Sequence, residues 1–423
     1  MLIRFLILFL LVLKVASHSI AGSDSEFVFT TSRSSVRVPV RITHNLVVMP
    51  IKINNGPQLN FVLDTGVNKT ILTEPLVVNA LGLEGDELVY ILGLGGEGIV
   101  EALRIEDVSM QIDAIEGRNL NLLVIPEEVL KLSEVFGFPV HGIIGYDLLK
   151  EFPIRINYTN NTMRIYRDSD YRIRRRSHII PFELINNKPY IDATVRGSKD
   201  TTLSLPLLVD LGASHTLYLN NEHSYINEGE TVFSYLGRGI SGDMLGEEGR
   251  LDILKLDENI VIEDPIVAYP DPEQMWIEKL DIPWEGLIGG GILSRFHLII
   301  DYPSEQLVLR KNIKFNRPFN SNLSGLEIIA EGRNYREFII SYVRPSSPAD
   351  NAGVKKGDRI IRINNKNAYE IELQEVFDIL SKSPGTIISI SVLREYPTKD
   401  EEGNVTGTKT KTHQFSFTLK QYI

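Results

Sequence analysis

Short apolar runs, broken every few residues by Gly, Asn, Asp or Pro, recur along most of this chain. Runs of that length with turn residues between them suit β-strands rather than helices. In the first half the predicted strands are Val38–Ile42, Val47–Ile53, Phe61–Leu63, Ile99–Ile105 and Leu120–Ile125. In the second they are Tyr190–Val195, Leu205–Val209, Leu251–Leu256 and Ile260–Ala268. Helical spacing is sparse, and only Glu127–Phe136 and Gly290–Phe296 suggest short helices. Past Arg310 the pattern changes. Asn316–Asn320 reads as a linker, followed by strands at Leu326–Ile329, Phe338–Val343, Arg359–Ile363, Ile387–Arg394 and Gln414–Leu419. One amphipathic helix, Ile371–Ser381, interrupts them, and the charged Pro397–Lys411 reads as a mobile hairpin tip.

The first two sets of strands form a repeat. Asp64 and Asp210 lie 146 residues apart, each closing an apolar run, and Gly145 and Gly289 lie 144 apart. Leu92-Gly93-Leu94-Gly95 matches Leu236-Gly237-Arg238-Gly239 at 144, as do Phe152 with Phe296 and Asn157-Tyr158 with Asp301-Tyr302. A repeat this long is a duplicated domain and not a solenoid unit.

Composition narrows the chemistry. A chain of 423 residues with 43% apolar residues is long enough for several cores. It has no cysteine, which removes disulfides and thiolate catalysis, and its net charge of −11 argues against nucleic-acid binding. The basic cluster Arg172-Ile173-Arg174-Arg175-Arg176 falls between the repeats and reads as a solvated linker. The eight histidines show no metal-ligand spacing, so neither a metal nor a cofactor is expected. At the N-terminus Arg4, the apolar Phe5–Leu13 and the small residues to Ala21 read as a signal peptide, residues 1–21, with a retained anchor as the alternative. An exported protein is therefore expected, in the periplasm, the cell envelope or the medium of a bacterium.

Two carboxylates held within a few ångströms cannot both ionise, so one is left as a base and the other as an acid. Asp64-Thr65-Gly66 and Asp210-Leu211-Gly212 supply such a pair, with Gly66 and Gly212 permitting a sharp turn behind each. Ile143-Ile144-Gly145 and Leu287-Ile288-Gly289 are placed to brace these turns, and Gly93–Gly98 and Gly237–Gly242 to form hairpin tips over a substrate. Residues 63–70 and 209–216, with the segments around Gly145 and Gly289, resemble the retropepsin-like branch of the aspartic proteases, present twice. The resemblance spans Val38 to Arg310. It implies a mainly β fold: two pseudo-symmetric retropepsin-like β-barrel lobes, residues 36–170 and 177–312, in a bilobal acid-protease arrangement. It also implies an aspartic endopeptidase with Asp64 and Asp210 as the catalytic dyad. Thr65, Gly66 and Gly212 would support the dyad, while Gly93, Gly95, Gly96, Gly237 and Gly239 would lie in the flaps. Protein or peptide substrates follow, cleaved by a monomer, because one chain carries both aspartates.

Leu211 departs from the pattern, since the family places Thr or Ser there to brace the two loops. The second reading is accordingly a peptide-binding protein that keeps the protease fold without catalysis. Val67 and Ala213 offer no hydroxyl to favour ionisation, which predicts a milder pH optimum than that of strongly acidic relatives.

Residues 343–364, from Val343-Arg344-Pro345 through Ala352-Gly353-Val354 to Ile363-Asn364, resemble the bacterial type of PDZ domain, covering residues 318–423. That resemblance implies an α+β module. A peptide would add as a strand beside Ser324, Gly325, Leu326, Glu327 and Ile328, against the helix at Ile371–Ser381. The loop reads Leu323-Ser324-Gly325-Leu326 and lacks the fuller glycine pattern, so strand addition is expected more than capture of a free C-terminus.

Overall fold

The computed structural model describes residues 10–12, 26–85, 87–93, 95, 99–125, 127–197, 201–227, 231–274, 284–320, 322–400 and 404–423. The chain divides into two compact units. One holds residues 4–130 and 140–319, and the other holds residues 131–139 and 320–423. Among the described residues no helix is long and apolar enough to cross a membrane.

The larger unit contains both halves of the repeat, and each half builds a strand-rich sheet of the same design. In the first, Leu46–Ile53 pairs with Gln58–Leu63, which runs parallel to Gly142–Ile144. In the second, Lys188–Arg196 pairs with Thr202–Val209, which runs parallel to Gly286–Ile288. The apolar runs before each aspartate are continuous rather than alternating because these strands are central and buried on both faces. Between the halves lies a shared six-stranded sheet. Ser35–Pro39, Thr162–Tyr166 and Ile154–Asn157 come from the first half, and Phe296–Asp301, Gln306–Lys311 and His178–Pro181 from the second. Ile154–Asn157 pairs antiparallel with Phe296–Asp301 and so joins the two lobes.

Several boundaries differ from expectation. The helix predicted over Glu127–Phe136 is two pieces, Glu127–Leu130 and Leu132–Phe136, split where Lys131 adopts a left-handed backbone (φ 51°). The helix near Gly290 stops at Leu293, and Phe296 opens a strand. The strand expected over Ile260–Ala268 breaks at Asp264 (φ 53°) into Ile260–Glu263 and Ile266–Pro270. Asp and Asn tolerate that conformation better than other non-glycine residues, which is why such breaks hide inside apolar runs. A further helix, Pro75–Ala80, went unpredicted. Of the N-terminal segment, Leu10–Val12 is described, as a strand against Glu87–Gly93.

The linker at Asn316–Asn320 is pinned rather than loose. The Arg295 guanidinium donates to the carbonyls of Lys314, Phe315, Arg317 and Pro318, and it stacks on Phe319 at 3.4 Å. In the smaller unit the sheet order is Leu326–Glu331, Glu337–Val343, Arg359–Ile363, Ile387–Lys399, Val405–Thr418, with Leu373–Leu380 as its main helix. Within Pro397–Lys411 the pairing continues as a two-stranded ribbon to Lys399 opposite Val405, and the expected tip, residues 401–403, lies outside the described residues.

Candidate active site

Asp64 and Asp210 are both fully buried, each at the end of its central strand. Their backbone N–H groups donate to the carbonyls of Ile144 and Ile288, both at 2.9 Å, so the downstream aliphatic segments do hold the loops. Each carboxylate accepts from the N–H two residues on: Gly66 to Asp64 Oδ1 at 2.6 Å and Gly212 to Asp210 Oδ1 at 2.8 Å. The second oxygen of each, Oδ2, is buried and receives no N–H. The two carboxyls are close enough that each shifts the ionisation of the other. Gly212 is obligatory in this geometry, because a Cβ there would collide with the Asp64 carboxylate.

Thr65 ties the two active-site loops together. Its hydroxyl donates to the Val209 carbonyl at 2.6 Å and accepts the Leu211 N–H at 2.9 Å. Leu211 therefore still enters the brace, through its backbone, although its side chain returns no hydroxyl. A second tie runs from Asn45 Nδ2 to the Ser214 carbonyl at 3.2 Å. The lobes diverge behind the loops. Asp147 accepts from the Thr70 N–H and hydroxyl at 2.9 and 3.1 Å, whereas Gly291 stands at the matching place in the second lobe. There the Thr216 hydroxyl has no hydrogen-bond partner.

Burial disfavours the charged form of both acids. It pushes Asp64 well above the ordinary carboxylate range, with the neighbouring Asp210 charge adding to the effect. Burial also raises Asp210, while the Gly212 N–H, Asp64 and Lys188 pull it back. The arrangement holds one proton between two carboxyls and titrates as a pair.

Lys188 was not singled out from the sequence. Its side chain is almost fully buried, and extending the antiparallel register from Tyr190 opposite Leu208 by two residues places it across from Asp210. Burial pulls its ammonium down to about 7, against the attraction of Asp210 and Asp64. In the first lobe the same extension, from Val48 opposite Val62, places Leu46 across from Asp64. A lysine where the repeat has leucine was thus a readable signal. Tyr302 was missed as well: burial, then the charges of Asp64 and Asp210, raise its phenol.

The two glycine-rich hairpins are present. Glu87–Gly93 pairs with Ile99–Ile112, and Val232–Gly239 with Gly242–Arg250. Gly93 and Gly95 are buried, Gly237 sits at a bulge, and Gly239 pairs with Gly242. Gly96 lies outside the described residues. The tips meet: Gly95 (φ +92°) packs so close to Gly242 that a side chain there would strike the Gly242 backbone. Gln274, also missed, ties both tips, accepting from Gly95 N–H at 3.3 Å and from Leu245 N–H at 2.7 Å.

In the smaller unit, the donors of the predicted peptide loop are already engaged. Ser324 and Gly325 N–H donate to Asn322 Oδ1 at 3.2 and 3.0 Å, and Leu326 N–H donates to the Ser324 hydroxyl at 3.1 Å. Glu327 and Ile328 lie in the edge strand. The short helix Leu132–Phe136 packs against that strand, and Gly137 (φ +70°) sits so close to Leu373 that an added Cβ would be 2.7 Å from its Cβ. Residues 131–139 therefore occupy the groove in which a peptide was expected.

Residues 49–148 match the family model described as aspartyl protease, and residues 339–394 match the PDZ domain model. No curated protein sequence matches the chain. Among solved structures, the aspartic proteinase from Irpex lacteus aligns with a TM-score of 0.41 at 12% identity, over 68% of this chain and 100% of that one. The chain thus carries an aspartyl protease-like segment at residues 49–148 and a PDZ-like segment at residues 339–394.

Proposed function

We propose that this chain is an aspartic endopeptidase, with Asp64 and Asp210 as its dyad. The observation that carries this reading is the meeting of the two buried carboxylates, each fixed by its own Gly N–H and each keeping a second oxygen clear of other donors. The ionised member takes a proton from water as that water attacks the peptide carbonyl. The protonated member donates to the carbonyl oxygen, and the departing amine regains a proton from the pair. Sharing a proton between like carboxylates is behaviour for which aspartic proteases are the standing example. Lys188 leaves the buried cluster less negative than two acids alone. Since one chain supplies both aspartates, a monomer suffices.

The PDZ module takes a peptide strand along Leu326–Glu331, and residues 131–139 must leave that edge first. Residues 1–21 direct export. Leu211 favours a second reading, a binding protein without catalysis, but its N–H keeps the Thr65 brace intact. The test is incubation of the purified chain with an unfolded protein from about pH 3 to 8, with and without pepstatin. Pepstatin-sensitive cleavage is expected, and no cleavage at any pH leaves the binding reading.

A further inference from the structure

The six-stranded sheet between the lobes has one face buried by Val36, Val38, Ile154, Ile156, Leu298 and Ile300. Its other face carries a row of basic residues beside a small apolar cluster of Ile299, Val308 and Tyr171. Arg37 stands directly opposite Arg164, Arg164 directly opposite Arg155, and His297 directly opposite Arg310. The arginine pairs are like charges in direct cross-strand register, an arrangement that is destabilising without a compensating partner. Arg155, Arg174, His297 and Arg310 line one cleft, together with Asn157, Ser177 and the apolar Ile299 and Val308. The whole chain carries a net charge of −11, which makes a cationic cluster of this kind more telling.

The carboxylate that shares this face, Asp301, is buried at its far end. It accepts from the Tyr171 hydroxyl at 2.9 Å, the Ser169 hydroxyl at 3.1 Å and Gln306 Nε2 at 3.3 Å. Among the described residues none of Arg155, Arg174 and Arg310 is in an ion pair. Arg155 instead donates to the Arg172 carbonyl at 3.1 Å and lies over the Tyr166 ring. Burial and then the neighbouring arginines lower His297, and Arg310 is lowered by burial and then by Arg174.

We propose that this face binds a phosphate-class oxyanion, held by Arg155, Arg174, His297 and Arg310. Planar guanidinium groups donate two parallel hydrogen bonds to such an anion, and several of them around one cleft suit a ligand with more than one negative charge. A soluble phosphate and the phosphate of an anionic lipid headgroup share this chemistry. The site is independent of the protease reading, because neither Asp64 nor Asp210 belongs to it.

The test uses the full chain, its Arg155→Gln/Arg310→Gln variant and the single Arg174→Gln variant, whose side chain is exposed. Thermal melting is followed against inorganic phosphate, with chloride matched for ionic strength. Sedimentation is followed with phosphatidylcholine vesicles with and without phosphatidylglycerol. Stabilisation of wild type by phosphate beyond that by chloride, reduced in both variants, assigns a soluble ligand. Sedimentation that depends on phosphatidylglycerol and falls in both variants, without a phosphate response, assigns the headgroup. If both responses occur and fall together, the site reads phosphate in either form. Responses to both probes that are absent, or equal in wild type and Arg174→Gln, overturn the proposal.

Discussion

Replacing Lys188 with Met removes a cation placed across from Asp210 while keeping an unbranched side chain of similar length. Continued strand register puts Lys188 across from Asp210, and cross-strand neighbours lie about 5 Å apart. A unit charge at that distance, with an effective dielectric constant near 20, contributes roughly 3 kcal/mol, or about two pKa units at full ionisation. The ammonium favours ionised carboxylates, so its loss raises the dyad. Burial brings Lys188 itself down to about 7, so it is charged through the acid range and largely neutral above it. The effect therefore falls on the acid limb of the rate profile, which should move upward by about one to two pH units in Lys188→Met. The assay is kcat/KM for a fluorogenic peptide across pH, beside thermal melting to confirm folding. An acid limb that stays within about 0.3 unit, with rates merely scaled down, would refute an electrostatic role for this lysine.

Other substitutions separate further parts of the account. Gly212→Ala places a methyl group on the Asp64 carboxylate. It should lower kcat/KM by about a hundredfold or more while leaving melting of the smaller unit unchanged, because small displacements of reacting groups are costly. Arg394→Met removes the bidentate partner, at 2.6 and 2.7 Å, of the fully buried Asp358. That should destabilise the PDZ module by about 3 kcal/mol in urea unfolding, since an unpaired buried charge remains. The raised Asp64 carboxyl gives a pH signature as well. Its stabilising contribution is full below the unfolded value of 3.8 and is lost as pH rises through the folded value. Asp64→Asn should therefore melt near wild type at about pH 4 and above it at about pH 8.

Much of the site was legible because the chain states it twice. The Asp-x-Gly turns recur 146 residues apart, and the aliphatic-aliphatic-glycine segments and glycine-rich hairpins 144 apart, and the structure joins the turns to the aliphatic segments through matching hydrogen bonds at Ile144 and Ile288. The features that escaped are those that break the repeat or cross it. Lys188 is a polar residue at an apolar register position, invisible to a search for motifs but visible once each strand is set against its copy. Residues 131–139 carry an apolar face that reads as lobe core, and nothing local says that it packs on a strand two hundred residues later. Such a pairing depends on tertiary contact rather than periodicity. The ribbon ending at Lys399 and Val405 was hidden by its exposure, since a strand solvated on both faces has no alternation to display.

The account rests on Asp64 and Asp210 acting together on one water. The most direct measurement is kcat/KM for a peptide that wild type cleaves, compared with Asp64→Asn and Asp210→Asn, with melting curves to show that each variant is folded. Both variants should lose about a thousandfold or more, because removing either acid removes the shared proton and the base together. Near-wild-type turnover in either folded variant would contradict a two-carboxylate mechanism, and survival in Asp210→Asn would place the chemistry in the first lobe alone.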